Sequence, residues 1–110
     1  MDWIQLNETA QLEEIRQKSY SLPQVIFKHS TRCSISSMAK SRLERANNPG
    51  GIEFYYLDLI RNRSLSNQVA EDFKVWHESP QVLLIIDGEC RYDESHTGIS
   101  MDSIVTSIAR

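Results

Sequence analysis

The stretch Val25-Ile26-Phe27-Lys28-His29-Ser30-Thr31-Arg32-Cys33-Ser34-Ile35-Ser36 changes its period at the cysteine. Its first three residues are apolar and read as a buried strand. Beyond Cys33 the apolar residues Ile35, Met38, Ala39, Leu43 and Ala46 recur at spacings of 3, 1, 4 and 3. That is one stripe of an amphipathic helix. Cys33 therefore stands at the first turn of a helix, just past a strand. Unpaired backbone N–H groups and the positive end of the helix dipole converge there. Such a position favours the thiolate, which is the nucleophile. Arg32, Lys28 and His29 add positive potential.

A cysteine in an arbitrary sequence is more often a small buried hydrophobe than a reactive group. The flanks of Cys33 argue otherwise. Arg32, Ser34 and Ser36 are not core neighbours, and strand-to-helix corners are where α/β sheets place ligands and chemistry.

Outward from this corner the chain alternates strands and helices. Residues 2–6 form a short edge strand. A charged helix follows, with Thr9 as N-cap and Leu12, Ile15 and Leu22 on one side, and Pro23 stops it. Strand 25–28 and helix 34–47 come next, then the break Asn47-Asn48-Pro49-Gly50-Gly51. Residues 52–57 are rich in β-formers. Leu65, Val69 and Phe73 mark the buried face of a helix capped by Ser64 or Ser66. Val82-Leu83-Leu84-Ile85-Ile86 is a continuous apolar run, as in a strand covered on both faces. Asp87-Gly88 is a hairpin signal, so 89–93 return antiparallel. Ser100 caps a last helix with Met101, Ile104, Val105 and Ile108 on its inner side. The order β-α-β-α-β-α-β-β-α gives an α/β fold: a central mixed sheet with helices on both faces.

At 110 residues the chain has room for one domain, 1–110. Its charge of −3 weighs against wholesale binding to nucleic acid or anionic membrane. No run of 18 apolar residues and no signal peptide stands in it, which points to a reducing, cytoplasmic compartment. Its two cysteines are then thiols rather than a structural disulfide.

The whole pattern resembles the thioredoxin fold, a three-layer arrangement. The strand leading to the Cys33 helix, Ser79-Pro80 before a buried strand, Asp87-Gly88-Glu89 at the hairpin and Gly98 before the last helix match in order. The resemblance implies that Pro80 is cis and faces the reactive cysteine; on its own it reads as an ordinary strand-entry proline. More closely, Phe27 to Ser36, Trp76-His77-Glu78-Ser79-Pro80-Gln81 and Ser95-His96 are similar to stretches of the monothiol bacilliredoxins of the YtxJ type. That family uses a single cysteine to remove a small thiol, bacillithiol, from proteins. Its members often carry proline directly after the cysteine, where this chain has Ser34.

The residues speak to the same chemistry. A dithiol oxidoreductase needs two cysteines three apart, so that the second can attack the mixed disulfide formed by the first. Ser36 occupies that second place. Its hydroxyl can hydrogen-bond the Cys33 sulfur or satisfy helix-start backbone, but it cannot close a disulfide. Cys33 and Ser36 are therefore the catalytic candidates. Arg32, Ser34, Trp76, Ser79, Pro80 and His96 are candidates for substrate binding. Trp76 equally completes the Leu65, Val69 and Phe73 stripe, and His96 equally serves as a loop histidine bonded to backbone. No Cys-x-x-Cys or His-x-x-x-His spacing supports a metal site, and no cofactor is expected beyond bacillithiol or another low-molecular-weight thiol as co-substrate.

Three readings follow. The first is a monothiol thiol–disulfide oxidoreductase whose partners are the small thiol and proteins carrying it in mixed disulfides. The second uses Cys90 as a remote resolving cysteine, although the matched fold puts that residue on the sheet edge. The third is a thioredoxin-like binding module whose cysteine does no chemistry.

Overall fold

The strand that leads to Cys33 is buried along its full length, from Gln24 to His29. In the computed structural model, which describes residues 1–108, it is the middle strand of five. Residues 109–110, the end of the expected 1–110 domain, lie outside the described residues. The elements in chain order are β1 (Trp3–Gln5), α1 (Ala10–Lys18), β2 (Gln24–His29), α2 (Ser34–Ala46), β3 (Glu53–Asp58), α3 (Arg63–Phe73), β4 (Gln81–Ile86), β5 (Glu89–Ser95) and α4 (Met101–Ile108). A 3-10 turn, His96–Gly98, joins the last two.

The sheet order is β1-β3-β2-β4-β5. β3 runs parallel to β1 and β2, whereas β4 is antiparallel to β2 and β5 to β4. Successive strand residues point to opposite faces, so β2 feeds two cores. Ile26 joins Leu12, Ile15, Leu65, Val69 and Phe73 under α1 and α3. Val25 and Phe27 join Ala39, Leu43, Met101 and Ile104 under α2 and α4. Each fully buried Leu or Ile contributes about 1.5–3 kcal/mol. The α/β three-layer arrangement expected from the thioredoxin resemblance is the one observed.

Register fixes where the functional end lies. Lys28 pairs with Gln81 and Gln24 with Ile85. The start of β4, and with it Pro80, therefore stands beside the end of β2 that leads to Cys33. Gln81 in turn pairs with Ser95, which brings His96 to the same end. At the other end, Asp87 and Gly88 have φ of 53° and 82°. Two positive values in succession are the type I′ geometry that a tight hairpin favours.

Three local expectations are corrected. α3 begins earlier than a Ser64 or Ser66 cap requires: Asn62 holds the cap position, Ser64 lies in the first turn, and Ser66 is a buried residue inside the helix. Several polar residues in a row left the choice open, and the need to bury Leu65 with Val69 and Phe73 settled it. Thr9 holds the N-cap position of α1 but its side chain makes no capping bond. Gln11 Oε1 instead reaches back to accept the N–H groups of Asn7 and Glu8, in the segment that leads into the helix. Leu22 lies beyond α1, which ends at Lys18.

Candidate active site

Cys33 is the N-cap residue of α2, with extended backbone (φ −111°, ψ 121°). Its N–H donates to the Ser30 carbonyl at 3.1 Å and its carbonyl accepts the Ser37 N–H at 3.1 Å. No side chain caps the helix. The first-turn N–H groups thus have no side-chain partner, the Cys33 sulfur included, and Cys33 is partly exposed beside them. Arg32 and Ser34 flank it on the surface.

Ser36, the third residue of the helix, is fully buried. Its Oγ accepts the Ser30 N–H at 3.0 Å and lies 2.6 Å from His29 Nδ1. The hydroxyl at the place of a resolving cysteine therefore ties the start of α2 to the end of β2. His29 is itself buried, between Phe27 and Tyr56, with ring centroids 5.6 and 5.4 Å away. Burial holds its imidazole below the ordinary histidine range, and the charge of Lys40 pushes the same way.

On the far side of the corner, the Ser79–Pro80 peptide is cis. Pro80 is buried, and its carbonyl accepts the His96 N–H at 3.0 Å. The His96 ring is half-exposed and its Nε2 lies 3.7 Å from Glu78 Oε2. Ser79 Oγ is buried without a partner among the described residues. Cys33, Ser36, Ser79, Pro80 and His96 are thus all carried by segments at one end of the sheet. Of the two places open to Trp76, the structure excludes the helix stripe: the residue is 91% exposed and lines a groove with Ala70, Lys74 and Val75 on the α3 side.

Beneath the same loop lies a polar cluster that sequence reasoning missed. Lys28 has no exposed surface. Its Nζ donates to the Ser66 carbonyl at 3.3 Å and approaches His77 Nδ1 at 3.2 Å. Ser66 Oγ lies 3.3 Å from the same Nδ1. An ammonium can only donate, so a charged Lys28 makes that nitrogen the acceptor and puts the His77 proton on Nε2. Burial pushes the Lys28 amine down to about 8, and burial together with the Lys28 charge lowers His77. Gln81 Nε2 adds a bond to the Trp76 carbonyl at 2.9 Å. The cluster fastens the loop before Pro80 to β2 and α3. The signal in the sequence was a lysine placed two residues after Ile26, on the same buried face of the strand.

Cys90 stands apart. It pairs with Ile85, which pairs with Gln24, the first residue of β2. The length of β2, about 17 Å at the usual rise, separates that register from the Cys33 end. Cys90 also packs on the α1/α3 core, whereas α2 covers the other face. Burial pushes its thiol up to about 11.

Solved structures of the same fold superpose over nearly the whole chain. One described as having a thioredoxin fold is 28% identical, with a TM-score of 0.80, over 96% of this chain and 92% of its own. Thioredoxin f2 of Chlamydomonas reinhardtii is 16% identical (TM-score 0.73, covering 97% and 94%). Fasciola hepatica thioredoxin is 20% identical (TM-score 0.71, covering 96% of each). These last two establish the fold. The family model described as monothiol bacilliredoxin BrxC matches residues 4–104. That match spans the Cys33 corner, the Pro80 loop and the start of α4, and with it the chain belongs to the monothiol bacilliredoxin family, whose thiol–disulfide exchange employs a low-molecular-weight thiol.

Proposed function

We propose that Cys33 takes a small thiol of the bacillithiol type from protein mixed disulfides. The observation that carries this is a cysteine at an uncapped helix start with serine, not cysteine, three residues on. The Cys33 thiolate attacks the small-thiol sulfur of a protein–S–S–R bond. A Cys33–S–S–R bond forms, and the protein sulfur leaves as a thiolate that takes a proton from water. No electrons are gained or lost overall. A second, external thiol then attacks the R sulfur, forms R–S–S–R′ and releases Cys33. The first-turn N–H groups hold the sulfur's negative charge before attack and after release.

In this reading Ser36 is a positioning residue. It holds β2 to α2, and it blocks the internal resolution that a cysteine there would provide. Arg32, Ser34, Ser79, Pro80 and His96 surround the incoming disulfide. Trp76, on the outer side of the Pro80 loop, belongs to the surface offered to the protein half of the substrate. The setting is a reducing, cytoplasmic one in which Cys33 and Cys90 persist as thiols; no described helix is long and apolar enough to cross a membrane.

Incubation with an S-bacillithiolated carrier protein, followed by intact-mass measurement, tests the proposal. One small-thiol increment is expected on the wild type, mapped to Cys33, and none on Cys33→Ser. An increment that survives Cys33→Ser, or no increment at all, contradicts it.

A further inference from the structure

The outer face of α2 carries a groove of about 340 Å³ lined by Ser37, Met38, Ser41, Arg42 and Arg45. A second hollow shares both arginines and reaches Ser100 and Asp102 at the start of α4. The groove begins one turn beyond the nucleophile, since the Ser37 N–H bonds the Cys33 carbonyl. It is also tied to the rim of the site. Arg42 Nε donates to the Ile99 carbonyl at 3.1 Å and its Nη2 to the His96 carbonyl at 3.4 Å. His96 in turn donates to Pro80.

Those bonds fix the Arg42 guanidinium without neutralising it. A guanidinium has five N–H donors, and carbonyls occupy two of them here. The arginine ion pairs among the described residues belong to Arg16 and Arg91. Arg32, Arg42 and Arg45 have no carboxylate within ion-pair distance among the described residues, in a chain whose net charge is −3. Asp102 offsets this only at the far end. Arg42 is about 13 Å from Cys33 along the helix axis. Its side chain leans back toward the N-terminus, which shortens the span to about 10 Å.

We infer that this groove is the subsite for a small thiol bearing carboxylates remote from its sulfur. The inference rests on the reading of Cys33 as acceptor of a small thiol. Cys33 takes the sulfur, Ser37 and Ser41 bond the polar middle of the molecule, and Arg42 and Arg45 hold its carboxylates. A planar guanidinium already held in place loses little freedom on pairing with a carboxylate.

The test uses one carrier protein thiolated in turn with bacillithiol, glutathione, neutral 2-mercaptoethanol and cationic cysteamine. The rate of appearance of the Cys33 adduct is followed by intact mass at low substrate. The readout is the ratio of each carboxylate-bearing thiol to mercaptoethanol, which cancels general effects on the nucleophile. Wild type should favour at least one carboxylate-bearing thiol and disfavour cysteamine. In Arg45→Gln that ratio should fall about tenfold, the worth of one charge-assisted pair of bonds. Ser41→Asp, which places a negative charge in the groove while leaving the Arg42 bonds in place, should lower it as well. Wild-type transfer that ignores the charge of the thiol, or ratios unchanged in both variants, overturns the subsite and leaves the chemistry of Cys33 standing. No adduct from any of the four thiols overturns the underlying reading as well.

Discussion

Lys28 shows most directly what a position costs a side chain. Its amine titrates at about 8 in the folded protein against 10.5 for a free lysine. Between those values the unfolded chain binds more protons, so stability rises with pH across that window. The penalty is complete below about pH 8 and absent above about 10.5. At 1.36 kcal/mol per pKa unit it amounts to roughly 3 kcal/mol. Lys28→Met removes this titration, while Tyr55, pushed up to about 12 by burial, remains in both proteins and cancels. Urea unfolding from pH 8 to 10.5 should therefore show wild type gaining on the variant; parallel curves contradict a buried charge. Ser36 poses the opposite case, a hydroxyl whose removal strands partners. Ser36→Ala leaves the Ser30 N–H and His29 Nδ1 without it and should cost about 1–3 kcal/mol, seen as a lower urea midpoint. An unchanged midpoint contradicts the tie between β2 and α2. The position of Lys28 on the buried face of its strand could be read from the sequence, but neither set of partners could. Lys28 meets His77 across 49 positions and His29 meets Ser36 across a chain reversal, and no local pattern encodes such contacts.

At the scale of one element, the start of α2 carries the proposed mechanism. Residues 33 and 36 sit three apart across the first turn, where side chains are neighbours at about 5–6 Å. A Cys-x-x-Cys pair across the first turn of a helix is the arrangement by which dithiol oxidoreductases close a disulfide. Ser36→Cys should therefore close a 33–36 disulfide and expel the small thiol without outside help, seen as loss of the mass increment. An adduct that persists in this variant contradicts the placement of residue 36 beside the nucleophile. This corner was legible because the apolar period changes within a few residues of Cys33, and a strand cannot continue through that change. The start of α3 was less so. Asn62, Ser64 and Ser66 are all plausible caps by residue type, and only the burial of Leu65 and Ser66 selects among them.

Across the whole molecule, the sheet order gathers the candidate site at one end and the tight hairpin at the other. β2 is parallel to β3 and antiparallel to β4, so the Cys33 turn, the Pro80 loop and the turn at His96 gather at one end. The tight hairpin and Cys90 lie toward the other. Strand identities and the hairpin were readable from period and turn residues, because those are local. Which strands pair, and that Trp76 points outward rather than into the α3 stripe, depend on long-range packing. The central claim is that Cys33 works alone, and the far register, opposite face and raised thiol of Cys90 all support it. The most direct test exposes wild type and Cys90→Ser to the same S-thiolated carrier protein and reads intact masses before any external thiol is added. Both should keep one small-thiol increment on Cys33. A wild type that sheds the increment and closes a Cys33–Cys90 disulfide, while Cys90→Ser keeps it, would contradict the one-cysteine mechanism.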